Sequence, residues 1–152
     1  SPGLKTKGDR LERMKHDFEL AKRLETTDFS SFISNWYEQP LFASLKNYSD
    51  FELMKLRRLQ NNPLELAKSL RNLSTGCQPS LWDNLHQNRT PLLLLVGEYD
   101  DKFRAINAEI AQHCKSAQLE IICDSGHNIH LENPNAWVDK VSFFLRENSH
   151  AN

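Results

Sequence analysis

The feature that most restricts this chain is a change of periodicity at Arg89. Beyond it, "TPLLLLVGEY" is a continuous apolar run bounded by Pro91 and Gly97, the pattern of a strand buried on both faces. "DKFRAINAEIAQHCKS" then returns to helical spacing through Phe103, Ile106, Ile110 and Cys114. "AQLEIICDSG" is a second short apolar run, and "NPNAWVDKVSFFLRE" is a closing helix capped by Asn133 with Pro134 at its start. Two strands joined by a crossover helix run parallel. Parallel sheets hold more strands than two, so the sheet is expected to be incomplete in these residues.

Upstream, helix follows helix. In "DRLERMKHDFELAKRLE", Leu11, Met14, Phe18, Ala21 and Leu24 recur at three- and four-residue steps, predicting an amphipathic helix. "TTDFSSFISNWYEQP" predicts a short helix stopped before Pro40. Ser49 precedes Glu52 by three residues, a capping-box signature. "NNPLELAKSLRNLSTG" offers Asn62 as N-cap, Pro63 at the first helical position and Gly76 beyond the end. With no repeat and no low-complexity linker, residues 1–88 read as a helical lid or cap. Residues 89–152 read as a βαβα piece of an α/β core.

A length of 152 residues suits one domain, and a net charge of −1 gives no reason to invoke nucleic acid or a charged membrane. The charge is uneven, with 14 Lys/Arg against 11 Asp/Glu up to residue 90 and 5 against 9 after it. An anionic ligand near the first part would explain that, as would a solvated helical surface. The longest apolar run is far too short for a bilayer, and no signal-peptide pattern opens the chain. Cys77, Cys114 and Cys123 are odd in number and lack C-x-x-C spacing, which argues for a reducing compartment. The opening "SPGLKTKG" has no Met, so a longer parent protein is expected.

In open parallel sheets the active site gathers beyond the carboxyl ends of the strands. Asp100 lies four residues after Val96, and His127 four after Cys123. Adjacent strands would bring the pair together, the carboxylate accepting the imidazole Nδ1–H and leaving Nε2 as base. Asp101 is the rival for the acid. The order acid-then-histidine is that of α/β-hydrolases, whose nucleophile sits earlier on a G-x-S-x-G elbow. None of Gly3, Gly8, Gly76, Gly97 and Gly126 makes that pattern. His127-x-x-His130 lacks the helical spacing and third ligand of a metal site. His130 is expected as a structural hydrogen-bond partner beside the dyad. Trp137, Phe143, Phe144 and Leu145 are expected to form the packed face of the last helix. Trp82 is expected in core or lid packing, and Cys114 and Cys123 as small buried apolar residues.

"WYEQPLFASL", "GEYDDKFRA" and "GHNIHLENP", in this order along nearly the whole chain, resemble the 2-succinyl-6-hydroxy-2,4-cyclohexadiene-1-carboxylate synthases. These are α/β-hydrolase-fold enzymes of menaquinone and phylloquinone biosynthesis. The resemblance is strongest to the C-terminal module of the fused plant protein PHYLLO. It implies a partial α/β-hydrolase fold, a helical lid followed by the last β-α-β-α of a parallel sheet. It implies Asp100 and His127 as triad acid and base, Arg13 and Arg57 as substrate-carboxylate ligands, and Trp36 and Tyr37 as pocket lining. Arg58 stands in for Arg57 if the helix phase is one residue off. The two arginines are expected to converge on the cavity above His127. The implied activity is a lyase reaction expelling pyruvate, with no cofactor or metal and a polyanionic carboxylate as substrate. The implied partner is the upstream core that carries the serine elbow, with fused modules before it and a chloroplast location. A generic esterase or thioesterase and a non-catalytic remnant or interaction module are the competing readings. The isolated chain is expected to be inactive.

Overall fold

Residues 2–149 are described in a computed structural model, and they fall into two units. The first runs to Glu38 and resumes over Glu52–Asp83; the second comprises Gln39–Phe51 and the chain from Asn84 onward. Segment 39–51, embedded in sequence among the helices, therefore folds with the strands.

The helical unit is built on α1 (Lys7–Thr26), α2 (Phe29–Tyr37), most of α3 (Phe51–Arg58) and α4 (Pro63–Asn72). Helix α1 opens with a capping box that the periodicity did not reveal. The Thr6 hydroxyl accepts the Asp9 amide at 3.0 Å and the Asp9 carboxylate accepts the Thr6 amide at 3.2 Å. Its buried stripe is Asp17, Ala21 and Leu24, whereas Leu11 and Phe18, predicted for that stripe, are 53% and 47% exposed. At 100° per residue those two lie roughly a quarter turn or more around the helix from the centre of the face that Asp17, Ala21 and Leu24 share. Ala67, on α4, has no exposed surface, and α4 lies against α1. The expected cap of α4 is present: Asn62 Oδ1 accepts the Leu64 and Glu65 amides at 2.9 and 3.3 Å, with Pro63 at the first position. Helix α3 begins at Phe51, two residues beyond Ser49, with Glu52 in its first turn.

In the second unit the order is β1 (Leu92–Gly97), α5 (Asp101–His113), β2 (Ala117–Ile122), α6 (Ile129–Glu132) and α7 (Pro134–Asn148). The strands are parallel and pair from Leu92↔Ala117 to Gly97↔Ile122, and α5 and α7 both contact them. Asn88 ties the two strand entrances, its Nδ2 donating to Thr90 O and Ser116 Oγ, both at 2.7 Å.

Burial of both strand faces was expected and is not found. Val96 and Gly97 are buried in β1 and Ile122 in β2, but Leu92–Leu95 are half-exposed and Ile121 is 43% exposed. Among the described residues β1 pairs with β2 alone, so few neighbours remain to cover these side chains. The last helix departs for the same reason. Phe143 and Leu145 are 59% and 60% exposed, while Trp137 and Phe144 are half-buried. Cys114 is buried as expected, and its hydrogen bond with the Ser116 hydroxyl holds the thiol below the ordinary value. Cys123 is exposed, because it lies past the end of β2. No described helix is long and apolar enough to cross a membrane.

Candidate active site

Both strands end where the chemistry was expected. After Gly97, β1 turns tightly, with the Asp100 amide donating to Gly97 O at 3.1 Å. The departing loop is stitched to the loop after β2 by backbone bonds, Glu98 N–H to Ile122 O and Tyr99 N–H to Ser125 O, each 2.9 Å. Side chains repeat the tie: Glu98 Oε2 accepts the Asp124 amide at 3.0 Å, and the Tyr99 hydroxyl donates to Asp124 Oδ1 at 3.1 Å. That bond and the Asp124 charge hold the Tyr99 hydroxyl above the ordinary phenol value. The loops approach so closely that a Cβ on Gly97 would collide with the Ser125 and Gly126 carbonyl oxygens. Asp124 takes φ of 53°, a left-handed conformation that Asp tolerates better than most residues. It turns the chain from the end of β2 toward His127.

The result is a formed dyad. His127 Nδ1 stands 2.7 Å from Asp100 Oδ2. The other oxygen, Oδ1, accepts the Phe103 amide at 3.2 Å and caps α5. Asp100 is 5% exposed, whereas the His127 side chain keeps 31% of its surface. A buried carboxylate held by a helix cap and an imidazole has little freedom to turn away. Phe103 lies with its ring centroid 4.8 Å from that of His127, and the Phe42 ring meets it edge-on at 6.2 Å. With Nδ1 protonated toward Asp100, Nε2 is the lone-pair nitrogen and can take a proton.

Asp101, the rival acid, is 92% exposed and pairs with Arg104 at 3.3 Å. The structure therefore puts Asp100 at the histidine. His130 was expected to hydrogen-bond beside the dyad. Instead it is exposed, with its ring set edge-on to Trp137 at 6.5 Å. Among the described residues no group of three or more His, Cys, Asp or Glu side chains is placed to hold a metal ion.

The predicted ligand residues lie in the helical unit. Arg13 is on α1, with its Nε donating to both oxygens of Asp17 at 2.8 and 2.9 Å. Asp17 is 1% exposed and also accepts the Ser74 hydroxyl at 2.7 Å, while Ser74 Oγ accepts the Gly76 amide at 3.0 Å. No Cβ fits at Gly76, where it would meet Arg10 O and Met14. This chain of contacts fixes the Arg13 stem and leaves its side chain 44% exposed. Arg57 and Arg58 are exposed in the last turn of α3. Trp36 is half-buried and stacks on Phe32 at 6.2 Å, Tyr37 is 6% exposed, and Trp82 donates its indole N–H to Gly3 O at 2.9 Å. Asp17, Glu98, Asp124 and Glu132 were missed by sequence reasoning. Their one available signal was an acidic residue inside a quoted motif or apolar stripe.

A parallel strand pair with an acid and a histidine on the loops beyond its carboxyl ends defines part of an α/β-hydrolase. A thermophilic esterase from Thermogutta terrifontis shares the fold, at TM-score 0.71 and 20% identity over 90% of this chain and 50% of that one. Within that class, the chain matches the 2-succinyl-6-hydroxy-2,4-cyclohexadiene-1-carboxylate synthases. It is 38% identical over 145 residues to the synthase of Escherichia coli O1:K1, covering 95% of this chain and 55% of that protein. A Bacillus subtilis (strain 168) protein, provisionally named as the same synthase, is 40% identical over 147 residues, covering 95% and 54%. MenH from S. aureus superimposes with a TM-score of 0.93 at 33% identity, over 99% of this chain and 57% of that one. The chain thus spans about half the length of the relatives it matches. No protein-family profile matches it.

Proposed function

We propose that the intact protein is a lyase that eliminates pyruvate from 2-succinyl-5-enolpyruvyl-6-hydroxy-3-cyclohexene-1-carboxylate. The observation that carries this reading is the formed Asp100–His127 dyad in a chain that matches named synthases over 95% of its length. His127 Nε2, with a serine from the upstream core, removes a ring proton. The C–H electron pair moves into the ring and the bond to the enolpyruvyl oxygen breaks. Pyruvate enolate leaves and takes up a proton to become pyruvate. Asp100 holds the imidazole tautomer and stabilises the imidazolium as it forms. Arg13 and Arg57 bind substrate carboxylates, for which a planar guanidinium fork suits better than an ammonium, and Trp36 and Tyr37 line the pocket. No metal or cofactor has a role in these steps.

The same reading makes the upstream core the partner of the second unit. The relatives extend well beyond the matched region, β1 has one described neighbour, and Ile121, Val138, Phe143 and Leu145 stand exposed. A phylloquinone role in the chloroplast follows from the plant resemblance, and import of the full precursor into isolated chloroplasts tests it.

The deciding experiment joins the chain to its upstream core and follows pyruvate release. Release abolished by His127→Ala, with ester and thioester hydrolysis at background, is the expected result. Hydrolysis without pyruvate release would replace the lyase by an esterase or thioesterase. Neither activity would leave a non-catalytic module.

A further inference from the structure

His127 is gripped on both sides by one carboxylate. Glu132 Oε2 accepts the Gly126 amide at 2.9 Å, and Glu132 Oε1 accepts the Asn128 amide at 3.1 Å. These are the residues immediately before and after the histidine. We propose that Glu132 is a positioning residue for His127, holding the two flanking amides so that the imidazole stays on Asp100. The proposal rests on reading His127 as the base of the reaction above.

Nothing in the turn alone would hold that geometry. Asp124, with its positive φ, and the Glu98–Asp124 bond fix the chain entering the turn. Downstream, α6 is a single turn of four residues, too short to be rigid by itself. Glu132 closes that turn, its own amide donating to Asn128 O at 3.0 Å. Its side chain then reaches back across the histidine. Gly126 is set so close to Ser44 that a Cβ would overlap the Ser44 hydroxyl, so no side chain fits at this position between Ser44 and the turn. Ser44, Tyr48, Tyr99, Asp124 and Glu132 line a recess of about 360 Å³ beside the turn. The Glu132 side chain is half-buried there, and both of its carboxylate oxygens accept main-chain N–H groups. Bonds from N–H to an ionised carboxylate are stronger than neutral ones, and this one spans the peptide units that set the direction of the His127 Cα–Cβ bond. A structural cap at the start of α6 would need only the amide of its N-cap residue, Asn128.

The test separates positioning from folding and from the lyase reading. In the 152-residue chain, the His127 Nδ1 proton is followed by NMR for its downfield shift and its exchange with water. Glu132→Gln keeps size but turns an NH₂ toward one amide donor; Glu132→Asp keeps charge but reaches one amide at most. Exchange at least about tenfold faster in Glu132→Gln is expected, with Glu132→Asp intermediate and protection of the Ile110 and Ile122 amides unchanged. If Glu132→Gln loses that protection, Glu132→Asp decides alone. Folded variants with shift unchanged and exchange within about twofold of the parent overturn the proposal. In the chain joined to its upstream core, Glu132→Gln is expected to lower kcat for pyruvate release at least tenfold with KM within about threefold. A parent without pyruvate release would sink the lyase reading while the NMR comparison still judged Glu132. A rise in KM alone would assign Glu132 to substrate binding and overturn its role on His127.

Discussion

Among the described residues each unit buries one carboxylate, and the two hold different partners. Asp17 in the helical unit is 1% exposed and holds Arg13; Asp100 in the strand unit is 5% exposed and holds His127. Arg13 is a planar, permanently charged guanidinium, and its Nε donates to both Asp17 oxygens. His127 is an imidazole with Nδ1 on Asp100, so Nε2 is the ring nitrogen left to take or give a proton. Their remaining bonds agree with this. Asp17 is completed by the Ser74 hydroxyl from a distant part of the chain, which anchors structure. Asp100 is completed by the cap of the helix that follows it, which aims one oxygen at the imidazole. Similar burial fixes a guanidinium in one unit and an imidazole in the other.

The same substitution at both sites should split that comparison most widely. Asp100→Asn keeps the shape and the cap but favours the wrong histidine tautomer. In the protein joined to its upstream core it should lower kcat/KM about 10³- to 10⁴-fold, with the urea midpoint little changed. The chain alone should show no pyruvate release or ester hydrolysis, since a base without its serine has lost parts that act as a unit. Turnover by the isolated chain that disappears in His127→Ala would show a second nucleophile within these residues.

At the anchor the expected readout is reversed. Asp17→Asn should lower stability by about 2–4 kcal/mol, less than a fully buried pair because Arg13 remains partly exposed. Urea denaturation of the chain measures it. A loss under 1 kcal/mol would make Asp17 no anchor.

Arg57 carries a smaller wager. Arg57→Ala in the completed enzyme should cost roughly 10- to 150-fold in kcat/KM, the equivalent of ~1.5–3 kcal/mol for a charge-assisted carboxylate contact. Arg57→Lys should recover part of it. Unchanged kinetics in both Arg13 and Arg57 variants would separate the helical unit from substrate recognition.

The smallest effect lies at the surface of the helical unit. Arg71 on α4 holds the Glu25 carboxyl of α1 below the usual glutamate range, chiefly through its hydrogen bond. A folded-state value below the unfolded one means the contribution is complete above about pH 4–5 and fades as pH falls through the lowered value. The urea midpoint should therefore drop more between pH 6 and 3 in the parent than in Glu25→Gln. Parallel curves would remove the link between the two helices.

How far these features could be read in advance depended on the distance over which each is decided. Asp100 and His127 were legible because strand ends and chain order are local. Asn62 and Pro63 were legible as a cap for the same reason. The choice of Asp100 over Asp101 needed to know which carboxylate faces the neighbouring loop. Asp17 was invisible because a charged residue beside an apolar stripe reads as its solvent margin, and its acceptance inside depends on Ser74, 57 positions away. Phe143 and Leu145 failed in the other direction. Their apolar character says they can be covered, and only the surrounding strands decide whether they are.

Among the described residues β1 is paired on one side alone, and that has a colloidal consequence. A strand paired on one side presents unpaired amides and carbonyls along the other, a template for chains of any origin. Leu92–Val96 offers neither Pro nor a charged side chain to discourage such growth. Exposed Ile121, Phe143 and Leu145 add adhesive surface. Handled alone, the chain should form larger species as its concentration rises, and light scattering against dilution would register them. Replacing Leu93 or Leu95 with Lys should slow that growth by placing a gatekeeper charge on the strand.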